Sequence, residues 1–138
     1  MFTSTRETRP SDAVGRIMMW PVAVTPCGMT MRQVAESLTA DEIGILPVLS
    51  NGHLVGVVSE RDLVRHLANG AEPDHVLVED IMTTDLLQVT SETSIAEAAQ
   101  LMVEAGIRHL PVLNDGAVAG IVSVRDVLAV LTETAAKD

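Results

Sequence analysis

The sequence contains two copies of one segment, and this duplication constrains the fold more than any other feature. Residues 44–67 align without a gap onto residues 108–131 at an offset of 64, and eleven of the 24 positions are identical. The identities fall in a Leu-Pro-Val-Leu run and in the pattern Gly-x-Val-Ser-x-x-Asp. The chain is therefore a tandem duplication, and both copies are expected to fold in the same way.

A predicted helix lies in the first half of each copy. The sequences Thr30–Gln33 and Ser94–Glu97 are capping boxes, in which a hydroxyl and a longer polar side chain each bond a backbone amide. Apolar residues then recur at helical spacing. A short strand is expected before each helix, around Ala23–Thr25 and Leu87–Thr90. A one-residue insertion in the first copy is expected at residues 27–28.

A β-hairpin and a second helix complete each copy. The dipeptides Asn51-Gly52 and Asp115-Gly116 separate two apolar runs in their respective copies, which is a strong hairpin signal. A helix is predicted to open at the serine that ends each hairpin. The expected strands are 45–49 and 54–59 in the first copy, and 109–113 and 117–123 in the second.

These elements predict an α+β fold made of two pseudo-twofold-related β-α-β-β-α units, packed as one pair with their sheets face to face. A single unit of about 60 residues buries little apolar surface, so the two are expected to depend on each other. The predicted organisation is a mobile N-terminal arm over 1–12, a first domain over 13–75, a second over 76–134, and a tail over 135–138.

Composition excludes several functional classes. Nine Lys and Arg residues against nineteen Asp and Glu give a formal net charge of −10, and only 1% of the residues are aromatic. Nucleic-acid binding needs a basic face and often aromatic stacking platforms, so it is not expected. The single cysteine, Cys27, forms no internal disulfide, which favours a reducing compartment. No apolar run approaches the roughly 20 residues that span a membrane, and a cytoplasmic location is predicted.

The Ser-x-x-Asp turn at the end of each hairpin is the candidate binding site. Amides at a helix N-terminus favour an anion, the serine hydroxyl can donate to it, and an adjacent arginine adds positive charge. The aspartate has two acceptor oxygens, which suit the two hydroxyls of a ribose. The same spacing is also close to an ordinary capping box, so the turn can be explained by helix capping alone.

The ordered set of motifs resembles the cystathionine β-synthase (CBS) domain, and two copies resemble a CBS pair, or Bateman module. The resemblance covers roughly residues 13–132. It implies that the aspartate binds a ribose and that the serine binds a phosphate or ribose. The ligand-binding residues it indicates are Ser123, Arg125, Asp126, Arg108, His109, Leu110, Pro111 and Val89 in the second copy, and Ser59, Arg61, Asp62, Val24 and Ile45 in the first.

The second copy is predicted to hold the better site. Its Arg108-His109 pair can supply a cation and a backbone edge for a base, whereas the first copy has Gly44-Ile45 at these positions. Asp126 is therefore favoured over Asp62. The four histidines show no metal-ligand spacing, and no metal or catalytic group is predicted.

The leading functional hypothesis is a stand-alone regulatory module that senses an adenosine-containing ligand: AMP, ADP, ATP or S-adenosylmethionine. The resemblance also implies a homodimer, for which the apolar helices at 62–68 and 126–131 are candidate surfaces. The signal is expected to pass to a separate effector protein. The alternative is a structural assembly module without a functional nucleotide site. An enzyme is not expected, because no nucleophile–base pair recurs in both copies.

Overall fold

A computed structural model of the protein describes residues 7–41 and 43–137, with side chains described as far as residue 133. The described residues form the predicted mixture of helices and strands in two sheets, which confirms the α+β fold. In chain order the elements are a 3-10 turn (Val14–Arg16), β1 (Thr25–Pro26), α1 (Met31–Asp41), β2 (Ile45–Ser50), β3 (His53–Ser59), α2 (Glu60–Ala68), α3 (Val78–Ile81), α4 (Ile95–Ala105), β4 (His109–Asn114), β5 (Ala117–Ser123) and α5 (Val124–Lys137).

The chain divides into two compact units. The first-copy unit comprises Val22–Leu86 and Asp115–Val118. The second-copy unit comprises the described residues up to Pro21, Leu87–Asn114, and those from Ala119 onward. The predicted tail over 135–138 begins inside α5, which continues to Lys137, and Asp138 lies outside the described residues.

Both predicted hairpins are present. β2 pairs antiparallel with β3, and β4 neighbours β5 in the other sheet. Asn51 and Asp115 both adopt positive φ, at 51° and 52°, and each is followed by a glycine at positive φ. Two consecutive residues at positive φ are what a type I′ turn requires, and this turn matches the twist of the strands it joins.

The short strands before the first helices are only partly formed. β1 runs parallel to β2, with Thr25 opposite Val48. In the second copy the equivalent contact is one parallel bridge between Val89 and Val112. The pairs Thr25/Val89 and Val48/Val112 are both separated by 64 residues, the same offset as before and after this region. The expected insertion at 27–28 is therefore wrong, because the two copies stay in register through this loop.

Each unit has its own apolar core, formed where the inner faces of the helices meet the hairpin. This packing follows from the helical spacing of apolar residues and from the continuous apolar runs of β2 and β4, which are buried over four consecutive residues each. In the first-copy unit the core residues are Met31, Val34, Leu38, Leu46, Val48, Val58, Leu63, Val78 and Ile81. In the second-copy unit they are Val14, Val89, Ile95, Ala98, Met102, Leu110, Val112, Val122, Val127 and Val130.

The first residues of each copy pack in the unit of the other copy. Met19, near the start of the first copy, exchanges backbone hydrogen bonds of 2.7 and 3.1 Å with Ile121 on β5. Thr83, near the start of the second copy, exchanges bonds of 2.8 and 3.0 Å with Val57 on β3. The repeat and the packing units therefore have different boundaries.

Gly56 and Gly120, which are equivalent in the two copies, let each of these segments cross its strand at close range. A Cβ atom at Gly120 would lie 2.7 Å from both Met18 Sδ and the Met19 carbonyl oxygen. A Cβ atom at Gly56 would lie 2.6 Å from Met82 Sδ and 2.9 Å from the Thr83 carbonyl oxygen. These separations are too short for any side chain, so the glycines allow the close approach of two backbones.

The N-termini of α1 and α4 are capped in equivalent ways. The amide of Met31 donates to the Val76 carbonyl at 2.8 Å, and the amide of Ile95 donates to the Asp12 carbonyl at 2.8 Å. The described part of the predicted N-terminal arm, residues 7–12, thus supplies an acceptor to α4, while residues 1–6 lie outside the described residues. These bonds satisfy amides that would otherwise have no partner at a helix start.

The predicted capping box of the first copy is complete, and that of the second copy is half formed. The Thr30 amide donates to Gln33 Oε1 at 2.9 Å, and the Gln33 amide donates to Thr30 Oγ1 at 3.2 Å. In the second copy the Glu97 amide donates to Ser94 Oγ at 3.0 Å.

Two carboxylates, those of Asp74 and Glu79, bond residues of the loop after β1 and of α1 within the first-copy unit. Asp74 forms a two-contact pair with Arg32, and this hydrogen bond lowers the pKa of Asp74 and raises that of Arg32. Glu79 Oε1 accepts the Gly28 amide at 2.8 Å, a bond to the charged form that lowers the pKa of Glu79.

Within the described residues no helix combines the length and the apolar character needed to cross a membrane.

Candidate functional site

The two Ser-x-x-Asp turns occupy equivalent places, where the returning strand of each hairpin ends and a helix begins. β3 ends at Ser59 and β5 ends at Ser123. Each hydroxyl accepts the backbone amide of the aspartate three residues on, at 3.2 Å in both copies. The helix-capping interpretation of the spacing is therefore correct for both turns, and any binding role must be compatible with it.

In the first copy the Asp62 carboxylate is fully engaged within the protein. Its Oδ2 accepts the Ser59 amide at 2.9 Å and the Ser59 hydroxyl at 3.0 Å. Its Oδ1 accepts Arg65 Nη2 at 2.7 Å in an ion pair. The Asp62 side chain is 7% exposed. This aspartate completes a capping box, and the neighbouring Arg65 neutralises its negative charge.

In the second copy the Asp126 carboxylate is only partly engaged. Its Oδ2 accepts the Ser123 hydroxyl at 2.9 Å, and its Oδ1 meets no donor among the described residues. The residue is half-buried rather than buried. Ala129 stands where the first copy has Arg65, so no cation occupies that helix position beside this carboxylate. One acceptor oxygen is thus available to an incoming hydroxyl pair.

Two exposed arginines lie close to the Asp126 turn. The Val124 amide donates to the Arg108 carbonyl at 2.8 Å, which brings the Arg108 backbone to the start of α5. Arg125 is exposed in the first turn of the same helix. Neither arginine forms an ion pair with a described residue. Together with Asp126 they give this turn an excess of one positive charge, in a chain of net charge −10.

The first turn has a different balance of charge. The Glu60 amide donates to the Gly44 carbonyl at 3.0 Å, so a glycine occupies the position of Arg108. Glu60 replaces Val124 and adds a negative charge beside the exposed Arg61. Glu60, Arg61, Asp62 and Arg65 sum to zero, so this turn has no excess charge to attract an anion.

The helix amides contribute less to anion binding than the sequence indicated. At the start of α5 the Val124 amide is bonded to Arg108, and the Asp126 amide is bonded to Ser123. Two of the first three amides are therefore already satisfied. An anion at this turn would depend mainly on the arginine side chains and the serine hydroxyl.

The other predicted site residues differ in accessibility. Leu110, Pro111, Val89 and Ile45 are buried, and the first three belong to the second-copy unit. His109 is half-buried at the start of β4, and Val24 is 43% exposed. Sequence reasoning missed Arg65. Its only signal was an arginine three residues after an aspartate, a spacing common on ordinary helices.

Within the part of the chain that the structure describes, no cluster of His, Cys, Asp or Glu could hold a metal ion.

A duplicated α+β fold with one Ser-x-x-Asp turn per copy defines the class of protein. The sequence matches the CBS domain family twice, over residues 14–69 and 78–133. The chain therefore belongs to the CBS domain family, and its two copies form a tandem CBS pair.

Similar proteins include an uncharacterised protein of Methanopyrus kandleri, 32% identical over 123 residues, which cover 87% of this chain and 63% of the relative. The chain thus spans less than two thirds of this relative. A CBS domain protein of Pyrobaculum aerophilum, solved in complex with AMP, is 27% identical with a TM-score of 0.81, covering 90% of this chain and 98% of that one. A CBS domain pair solved with 5′-methylthioadenosine and S-adenosylmethionine is 25% identical with a TM-score of 0.80, covering 86% and 98%.

Proposed function

We propose that this protein is a cytoplasmic regulatory module that binds an adenosine-containing ligand and signals to a separate partner. The ligand class comprises AMP, ADP, ATP and S-adenosylmethionine. Binding would change the conformation or the oligomeric state of the module, and the module itself would catalyse no reaction. The Asp126 turn of the second copy is the principal site.

The observation that carries this proposal is the Asp126 carboxylate oxygen that meets no donor among the described residues, in a turn with two arginines that form no ion pair with a described residue. A ribose presents two adjacent hydroxyls, and a carboxylate oxygen without a donor is a strong acceptor for them. The guanidinium groups of Arg108 and Arg125, with the Ser123 hydroxyl, suit a phosphate or carboxylate at the other end of the ligand. Ribose and anion are the two parts that the proposed ligands share.

The similar structures support the ligand class. One was solved with AMP, and another with 5′-methylthioadenosine and S-adenosylmethionine. All three molecules contain adenosine, while only AMP carries a phosphate. The shared adenosine therefore defines the proposed ligand class. The class does not specify which group is attached to the adenosine.

The regulatory step requires that the ligand binds one state of the protein more tightly than another. Apolar side chains on α2 and α5 are candidates for the surface that responds. Val64 and Leu67 are 65% and 49% exposed, and Leu128 is 53% exposed. Exposed apolar residues on helices of both copies are suited to homodimer formation.

A thermal-shift panel with AMP, ADP, ATP, NADH and S-adenosylmethionine tests the proposal. A ligand at about 100 times its Kd should stabilise the fold by roughly 2.7 kcal/mol. For a chain of this size that corresponds to a rise in Tm of about 10 °C. We expect the shift to disappear in Asp126→Ala and to persist in Asp62→Ala, each measured against its own ligand-free Tm.

GMP is the matched control, because it carries the same ribose and phosphate with a different base. A folded protein that shifts with none of the five ligands would contradict the proposal. That result would favour the second candidate function, a structural assembly module. The exposed apolar residues on α2 and α5 favour this alternative, because they would remain an interaction surface without any ligand.

A further inference from the structure

We propose that Arg65 closes the first copy's turn to ligand, so that one chain binds one adenosine-containing molecule rather than two. This inference rests on the proposed function and names the residue that sets its stoichiometry. It concerns a residue outside the Ser-x-x-Asp motif, at a position where the two copies differ in sequence.

The Asp62 carboxylate has only one of its roughly four acceptor sites left for the two hydroxyls of a ribose while Arg65 is in place. Arg65 Nη2 holds Oδ1 at 2.7 Å, and the amide and hydroxyl of Ser59 hold Oδ2. One of the two ribose hydroxyls would therefore have to replace the guanidinium group as a donor to Oδ1. A neutral hydroxyl forms a weaker hydrogen bond to a carboxylate than a cation does, so the exchange is unfavourable.

Burial strengthens this closure. The Asp62 side chain is 7% exposed and Arg65 is 54% exposed, so the arginine lies on the solvent side of the carboxylate. A ligand approaching from solvent meets the guanidinium first. Displacing it would leave the buried carboxylate to a neutral donor, and separating a buried charge from its partner is costly.

The second copy provides a natural comparison for the same turn. The serine and aspartate are identical, and the hydroxyl-to-carboxylate distances are 3.0 Å in the first copy and 2.9 Å in the second. Position 129, three residues after Asp126, is an exposed alanine, and Asp126 Oδ1 has no donor among the described residues. Exchanging the residues at 65 and 129 should therefore exchange which of the two aspartate carboxylates has an open Oδ1.

Isothermal titration of the full chain with AMP tests this assignment. We expect the wild type to bind one AMP per chain and Arg65→Ala to bind a second AMP more weakly, because the first turn has no counterpart of Arg108. The double variant Arg65→Ala/Asp126→Ala should keep one site, whereas Asp126→Ala alone should keep none. Stoichiometry is informative here, because a purely structural role of Arg65 would change stability without creating a site.

Ala129→Arg is the matched variant in the second copy. Both substitutions exchange good helix formers at exposed positions, so the helices should be retained, and circular dichroism checks this. Ala129→Arg should weaken AMP binding at least tenfold. The lysine variant Arg65→Lys keeps the cation and should retain the stoichiometry of one.

The outcomes separate the two proposals. Two AMP molecules on the wild type, or no gain in the double variant over Asp126→Ala, would overturn the role of Arg65 and leave the ligand-binding function intact. No AMP binding by the wild type or by any variant, with no shift in the thermal panel, would overturn the proposed function and this inference with it.

Discussion

The Ser59 turn and the Ser123 turn have the same motif and different chemical states. Both serines cap a helix with the same 3.2 Å bond. The first aspartate is buried and paired with Arg65. Among the described residues, the second has one oxygen without a donor, and the two arginines of its turn form no ion pair. The difference comes from positions outside the motif: Gly44 against Arg108, Glu60 against Val124, and Arg65 against Ala129.

The same residues can therefore form a helix cap and a binding site. The cap uses the serine hydroxyl, the aspartate amide and at most Oδ2 of the carboxylate, and it leaves Oδ1 for other partners. The neighbours then decide whether the carboxylate is satisfied inside the protein or by a ligand. Duplication allows one copy to become a structural element while the other keeps an open site.

The largest effect should come from breaking the crossing in each unit. Gly120→Ala and Gly56→Ala place a Cβ atom against a backbone carbonyl oxygen and a methionine sulfur. Each substitution should lower the free energy of unfolding by about 3 kcal/mol, because a backbone cannot yield as a flexible side chain does. Urea denaturation followed by circular dichroism measures this.

Ala117→Ser, at an exposed position of β5, is the control for these glycine variants and should leave the midpoint unchanged. If both glycine variants unfold at the same urea concentration as the wild type, the segments do not cross the strands as described.

The two aspartate substitutions should rank in opposite order for stability and for ligand binding. Asp126→Ala should abolish binding, whereas Asp62→Ala should cost more stability. Asp62→Ala removes the acceptor of three donors and should cost about 2 kcal/mol of stability, since bonds to a charged group are among the stronger ones. Asp126→Ala removes the acceptor of one hydroxyl and should cost less than about 1 kcal/mol. Chemical denaturation without ligand measures both.

Equal losses in the two aspartate variants would mean that the two turns are energetically alike in spite of their different hydrogen bonds.

The hairpin turns should respond equally, because the copies do not differ there. Gly52 and Gly116 have φ values of 80° and 81°. Replacing either with alanine forces a Cβ into the left-handed region and should cost about 1 kcal/mol. Thermal melts of the two variants should coincide. A clear difference between them would extend the asymmetry from the serine turns to the hairpins.

The smallest expected change in stability comes from substituting Glu79, which bonds the loop after β1. In the first-copy unit the Gly28 amide donates to the Glu79 carboxylate, whereas in the second-copy unit the Gly15 amide donates to the Ser91 carbonyl at 3.0 Å. The pKa of Glu79 is lowered in the folded state from its ordinary value of 4.5. Its stabilisation is therefore present above that value and is lost as the pH falls through the lowered pKa.

Melts of the wild type and Glu79→Gln from pH 7 to pH 3 test this. The wild type should be slightly more stable at neutral pH, and the difference should vanish on acidification. A difference that does not depend on pH would show that the Glu79 charge is not involved.

Local features of the fold were predictable from the sequence, and long-range ones were not. The Asn-Gly and Asp-Gly turns and the Thr30 capping box follow from residues a few positions apart, so short patterns indicate them. The packing of Met19 on Ile121 joins residues about a hundred positions apart, and no local pattern indicates it. The same holds for the caps that Val76 and Asp12 supply.

The candidate site was likewise predictable in its local sequence features but not in its side-chain contacts. The Ser-x-x-Asp turns and the cation at Arg108 could be identified from the aligned copies. The state of each carboxylate depends on side-chain geometry, so the pairing of Asp62 with Arg65 needed the structure.

The crossing of Met19 over β5 also affects the order in which the chain can fold during synthesis. The strand that pairs with Met19 is made about a hundred residues later, or roughly 5–20 s later at usual translation rates. Residues 22–86, by contrast, contain nearly all of the first-copy unit and leave the ribosome together. Residues 13–21 must therefore wait without their partner strand while the later part of the chain is made.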